Sequence, residues 1–177
     1  MEKGREMGMR LIACGIVLLS FMGCGSYGKP DFLGKLTPVE GVIKVNGKPM
    51  HGVQVTFVPY QGIRGNKPDQ SVRLATAVTD DSGKYALMTP PGGAIEKKKM
   101  DLYSGILPGK YAATFSCWIL PDGKPWAATG EKMDKGPVAM GAVEKLPPQL
   151  GNPLTTPHVV DIKDTGNFSL DFDLKVQ

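Results

Sequence analysis

The chain has 177 residues, enough for one domain of ordinary size plus a targeting segment. Its 41% hydrophobic content can fill a core, while 23 Gly and 15 Pro fall between apolar runs without a repeat. That pattern excludes collagen-like and disordered classes and predicts many short strands joined by turns. A net charge of +4, with no basic stripe interleaved with aromatics, argues against nucleic acid as a partner.

The N-terminus reads as an address. Lys3, Arg5 and Arg10 precede an apolar run at 11–22, followed by Gly23-Cys24-Gly25-Ser26. A dozen helical residues rise about 18 Å, well short of the roughly 30 Å hydrocarbon core, so the run suits a signal-peptide h-region and not a spanning anchor. Removing residues 1–23 leaves eighteen basic and fifteen acidic side chains. Residues 24–36 are polar, rich in Gly and broken by Pro30, which predicts a flexible tether.

Seven runs then alternate with period two. Residues 39–45 place Val39, Ile43 and Val45 on one face, and 52–58 set Val53, Val55 and Phe57 opposite Gln54 and Thr56. Residues 71–79 set Val72, Leu74 and Val78 opposite Arg73, and 84–88 supply Tyr85 and Leu87. The long run 110–120 aligns Tyr111, Phe115, Cys117 and Ile119; residues 157–163 form a shorter run. The clearest is 168–176, with Phe168, Leu170, Phe172, Leu174 and Val176 against Ser169, Asp171, Asp173 and Lys175. Asn46-Gly47 predicts a type I′ hairpin, while Asp81-Ser82-Gly83 and Asp164-Thr165-Gly166-Asn167 carry turn chemistry.

Two sheets packed face to face bury such faces, so the expected fold is all-β: a seven-stranded sandwich over 37–177, preceded by a signal-peptide helix. Residues 89–108 and 122–156 are two long loops, and Trp126 and Met133 are placed to pack the second onto the sandwich. The one basic run, 97–99, reads as a solvated loop, with anionic lipid headgroups as the alternative contact.

No catalytic residue, metal site or cofactor is assigned. Zinc has only His51, His158 and Cys117 as soft ligands, and alternation turns Cys117 into the core. Asp80, Asp81, Asp161, Asp164, Asp171 and Asp173 lie near strand ends but lack calcium-loop spacing, and read as turn caps and solvated faces. Asp171 and Asp173 share a face as paired carboxylates do, without an identifiable acid or base partner. Pro91-Gly92-Gly93 opens no helix and so cradles no phosphate. Cys117 is left without a disulfide partner once Cys14 departs with the leader and Cys24 is modified.

The segment ending at Gly23-Cys24 resembles the lipobox of bacterial lipoproteins, with Phe21 and Met22 where the family has Leu and Ser or Ala. The resemblance implies lipidation at Cys24 and a membrane partner through the lipid. With no Asp after Cys24, the enterobacterial sorting rule favours the outer membrane or periplasmic face of the cell envelope over the cytoplasmic membrane. Val39-Glu-Gly41 to Pro49, Gly52 to Pro59, Thr79-Asp80-x-x-Gly83-x-Tyr85 and Pro108-Gly109-Lys-Tyr111 resemble the carboxypeptidase regulatory-like domain, a transthyretin-like, immunoglobulin-like sandwich. The tail, from Leu146-Pro-Pro through Thr155-Thr-Pro-His158 to Phe172-Asp-Leu, is similar to planctomycete lipoproteins built on that domain. The resemblance implies a non-enzymatic structural or protein-interaction module. The other readings are a carbohydrate-binding module, with Trp126, Tyr103 and Trp118 as stacking surfaces, and an enzyme of unknown type.

Overall fold

The computed structural model describes residues 30–60, 73–92, 97–128 and 135–176. The signal-peptide helix expected at 1–23, Cys24 and Met133 lie outside the described residues. Within them the chain is mostly β, and eleven strands form three sheets.

The first sheet is built around β1 (Val39–Val45). Its odd-numbered amides and carbonyls face β2 (Lys48–Pro49) and β5 (Lys84–Ala86), both antiparallel; Leu87 N–H, for example, donates to Val39 O at 2.9 Å. The other edge pairs in parallel with β10 (Phe168–Ser169) and β11 (Phe172–Leu174), keeping one register from Val39↔Phe168 to Val45↔Leu174. The second sheet is antiparallel, ordered β4 (Ala75–Val78), β3 (Gln54–Pro59), β6 (Gly109–Ser116), β9 (Val159–Ile162). A third, two-stranded ribbon joins β7 (Trp118–Ile119) to β8 (Val143–Glu144).

The first two sheets pack face to face. Phe57 and Phe115 from the second sheet meet Phe172 of the first at 6.4 and 5.0 Å between ring centroids. Ile43, Val53, Val55, Phe57, Tyr111 and Phe115 are at most 1% exposed. Burying each such side chain fully contributes about 1.5–3 kcal/mol, so this interface is the principal source of stability.

Seven runs became eleven strands for local reasons. The run 110–120 breaks at Cys117, and 168–176 breaks at Leu170-Asp171, while β2 and β8 are two-residue pairings too short for a periodic signal. Asn46 (φ 49°) and Gly47 (φ 80°) do form the expected turn with both central residues left-handed.

The phase expected for 71–79 is reversed. Ala75 is fully buried and Thr79 is 1% exposed, while Leu74 and Val78 are 47% and 39% exposed. Thr79 sets the phase: its hydroxyl accepts from Val53 N–H at 2.9 Å and donates to Met50 O at 2.7 Å, which turns it inward. Alternation then brings the small Ala77 and Ala75 to the core side of this edge strand.

The expected long loops carry structure of their own. Residues 89–108 include a 3₁₀ segment, Lys97–Tyr103, and deliver buried Tyr103, Ile106 and Leu107. Residues 122–156 include 3₁₀ turns Trp126–Ala128 and Val138–Met140, strand β8, and α1 (Pro148–Gly151), whose Leu150 is buried near β6. The tether expected at 24–36 differs over its described part. A 3₁₀ turn spans Leu33–Lys35, and Phe32 stacks edge-on against Tyr103 at 6.1 Å with the Arg73 guanidinium 4.5 Å from its ring.

Candidate functional site

Trp118 and Trp126 belong to adjoining elements at one end of the sandwich. Trp118 opens β7, and the turn Trp126–Ala128 packs beside that strand through an Ile119↔Pro125 bridge. Both indoles are half-buried. Pro125 closes over Gly52, where a Cβ would collide with the proline ring. Tyr103 does not join them. It is 6% exposed, and its backbone belongs to the opposite end, where Thr89 N–H donates to Tyr103 O at 2.9 Å and Thr37 bridges Ile106. The three aromatics therefore do not share a stacking surface, and Tyr103 is a packing residue against Phe32.

Beside the indoles, Glu144 performs a task that composition did not reveal. Its Oε1 accepts from three backbone amides, those of Cys117 at 2.7 Å and of Lys145 and Leu146 at 3.0 Å each. One carboxylate oxygen thereby supplies the acceptor that the Cys117 and Leu146 amides lack where β6 gives way to β7, while Lys145 N–H also donates to Cys117 O at 2.9 Å.

Cys117 is 1% exposed with its Sγ 3.9 Å from the carbonyl oxygen of His51, not from its imidazole. Burial, reinforced by the neighbouring Glu144 carboxylate, pushes its thiol up to about 11, which keeps it protonated at neutral pH. The His51 imidazole instead lies 3.3 Å from the exposed Asp81 carboxylate. His158 sits at the far side of the core, edge-on to Phe115 and Phe172 at 5.4 and 5.3 Å, and burial holds its pKa below the usual histidine value.

Five of the six carboxylates flagged by position are engaged locally, Asp81 with His51 as above. Asp80 Oδ1 accepts from Ser82 N–H, Ser82 hydroxyl and Lys84 N–H at 2.8–2.9 Å, which holds its pKa below the carboxylate range, led by the serine hydroxyl. Asp171 caps Val42 N–H and Asp173 caps Gly47 N–H, both at 2.9 Å, so the pair on the last strand is spent on the β1 edge and not aimed at a common point. Asp161 pairs with Lys163 at 2.6 Å, and Asp173 also pairs with Lys175. Among the described residues, no three His, Cys, Asp or Glu side chains converge on a metal-sized site.

A shallow cleft of about 130 Å³ opens at the Tyr103 end between Pro38, Glu40, Leu87, Ser104 and Asn167. Glu40 is its one ionisable lining residue, so it offers no acid–base pair. No helix among the described residues is long and apolar enough to cross a membrane.

The sequence motifs singled out above prove to be joints of the fold. Thr79 ties β4 to β3, the Asp80–Gly83 turn carries the chain across to the other sheet, where Gly83 O accepts from Ile43 N–H at 2.8 Å, and Tyr85 packs into the core. In Pro108-Gly109-Lys110-Tyr111, the Tyr111 hydroxyl donates back to Leu107 O at 2.8 Å, a tyrosine-corner geometry.

No family model matches the chain. No curated relative matches it either. Among solved structures, a 9R-lipoxygenase from Cyanothece PCC8801 aligns with a TM-score of 0.31 at 12% identity, over 84% of this chain and 17% of that one.

Proposed function

We propose that the chain is an envelope lipoprotein, held to a membrane by lipid on Cys24, whose sandwich is a non-catalytic structural or protein-interaction module of the carboxypeptidase regulatory-like, transthyretin-like kind. The observation that carries this reading is the order of segments. A charged start, an apolar run too short to span, and Gly23-Cys24 lead within a few residues into a β-sandwich. What supports the module assignment is that Thr79, Asp80, Gly83, Tyr85 and Tyr111, the residues carrying the resemblance, serve as joints of the fold, within a sheet or at the turn between the two sheets. Residues of this kind specify a fold and leave function to its surface.

The chemistry of the anchor is additive. One acyl chain gives marginal membrane affinity, and a second or third makes it durable, at about 0.8 kcal/mol per buried CH₂. Cys24→Ser is expected to move the protein from the membrane pellet to the soluble fraction and to abolish incorporation of an alkyne-tagged fatty acid. A parent chain that takes up no label, or a Cys24→Ser variant that stays in the pellet and keeps its label, would overturn lipidation at Cys24.

A second reading, a carbohydrate-binding module, draws on Trp118 and Trp126 standing half-buried on adjoining elements at one end. Indole faces stack on sugar rings through apolar contact. Trp126→Ala and Trp118→Ala should then each abolish retention on a glycan array; unchanged retention removes this reading.

A further inference from the structure

The end of the sandwich where the N-terminal segment enters also carries a run of basic residues. Lys97–Tyr103 is a 3₁₀ segment with no acidic residue in its first turn, and its last residue packs against Phe32 at 6.1 Å. At about 2.0 Å rise per residue, the basic run at its start lies within roughly 12 Å of that contact. Lys98 and Lys99 are exposed, as are Lys35 and Arg73 nearby, and Leu102 presents 49% of its surface to solvent. Across residues 30–36, Arg73 and 97–103 there are five basic residues against two acidic ones, Asp31 and Asp101. A basic rim around an exposed leucine is the composition of an interfacial membrane contact.

Chain length sets how far this surface stands from a bilayer. Pro30 is six residues beyond Cys24, and six residues at 3.3–3.6 Å each reach about 20 Å at most. Lipid on Cys24 therefore holds Pro30, two residues before the Phe32–Tyr103 contact, within about 20 Å of the headgroups, and docking requires a path short enough to bring the lysines within a Debye length of about 8 Å. Trp118, Lys124 and Trp126 lie beyond the other end of β6.

We propose that this end, presented by Lys98, Lys99 and Leu102, docks onto an anionic phospholipid surface and so fixes the orientation of the sandwich, with Trp118 and Trp126 pointing outward. The inference rests on the anchor reading for Cys24. Charge attraction of exposed lysines to anionic lipid amounts to about fivefold in occupancy per lysine near the surface.

The test is amine-reactive footprinting of the full chain, purified in detergent and reconstituted on vesicles of phosphatidylcholine alone or mixed with phosphatidylglycerol. The expected result is flotation with both vesicle types and about fivefold slower labelling of Lys98 and Lys99 on the anionic vesicles only. Lys48 and Lys124 at the other end should label equally on both, and high salt should restore Lys98 and Lys99. The Lys98→Glu/Lys99→Glu double variant should lose the protection of Lys35. Flotation with both vesicles but equal labelling overturns docking and leaves the anchor standing. Salt-sensitive flotation with anionic vesicles alone, with Lys98 and Lys99 protected, supports docking and overturns the anchor. Flotation with neither overturns both.

Discussion

The Tyr85 hydroxyl donates to the carbonyl oxygen of Leu170 at 2.7 Å, joining the two strands that flank β1 across its face. Leu170 and Asp171 interrupt the C-terminal strand, so this carbonyl is taken out of the regular ladder while register is kept on both sides. Gly41 of β1 lies beneath the crossing. A Cβ there would sit well inside contact distance of the Leu170 carbonyl and against the Tyr85 ring. The bare glycine, the reaching tyrosine and the broken strand form a single device that locks the chain's last strand to its first.

Two substitutions separate its parts. Tyr85→Phe leaves the Leu170 carbonyl without its partner and should cost about 1–3 kcal/mol in denaturant unfolding. Gly41→Ala forces the backbone of residue 170 away and should cost about 3 kcal/mol, the upper range for overpacking. A neutral Gly41→Ala would mean that the C-terminal strand does not lie where the structure puts it.

Glu144 invites a similar test at the other end. Glu144→Ala orphans the backbone amides of Cys117 and Leu146, while Lys145 N–H keeps the Cys117 carbonyl at 2.9 Å, and should destabilise by about 2–3 kcal/mol. Glu144→Gln keeps one acceptor oxygen and should recover part of the loss. Hydrogen exchange at the amides of Cys117 and Leu146 should accelerate together in the alanine variant, and less at Lys145, which retains the Cys117 carbonyl; exchange rising at Cys117 alone would refute a shared clamp.

Where local pattern and tertiary position agree, the fold is legible in the residues themselves. Val53, Val55 and Phe57 are buried as their alternation requires, and Asn46-Gly47 makes the turn its chemistry demands. Strand β4 reads wrongly because period two gives two phases, and the larger apolar residues, Leu74 and Val78, point to the outer one. What selects the phase is the pair of hydrogen bonds from Thr79 to Met50 and Val53, more than twenty residues away. Glu144 is equally opaque, because Cys117 reaches it only once β7 pairs with β8. Phe32, an aromatic in a segment rich in Gly and polar residues, docks on a partner, Tyr103, that is 71 residues further on.

The phase of β4 has a direct consequence. Ala75→Leu inserts volume into a filled core and should cost about 1–3 kcal/mol. Leu74→Ser, at 47% exposure, should fall within about 0.5 kcal/mol of the parent. The reverse ranking in thermal or denaturant unfolding would restore the phase with Leu74 inside.

Alkaline pH should unfold the protein through its buried acids. Burial raises the Tyr85 and Tyr111 hydroxyls above their usual 10.0 and the Cys117 thiol from 9.0 to about 11. A raised folded pKa means that the unfolded chain releases its proton first, so the stabilisation is complete below the unfolded value and is lost as pH climbs through the folded one. Unfolding free energy should therefore start to fall near pH 9, and Cys117→Ala should remove the earliest part of that decline. A flat profile from pH 9 to 11 in both proteins would contradict the burial of these groups.

On the acid side the first group to respond is His158. Its folded pKa is depressed below 6.5 by burial against the edges of Phe115 and Phe172. Between that depressed value and 6.5 the unfolded chain binds more protons than the folded one, so stability is complete above 6.5 and declines as pH falls through the window. Asp80, Asp122 and Asp173, held below 3.8 chiefly by hydrogen bonds, follow the same sign but act only around and below that value, leaving the higher window to the histidine. His158→Gln should flatten unfolding free energy between pH 6.5 and the carboxylate range while leaving the steeper loss below it intact. If the variant keeps the parent's slope in that upper window, the imidazole is not the group responsible, and its packing between the two phenyl rings carries no proton linkage.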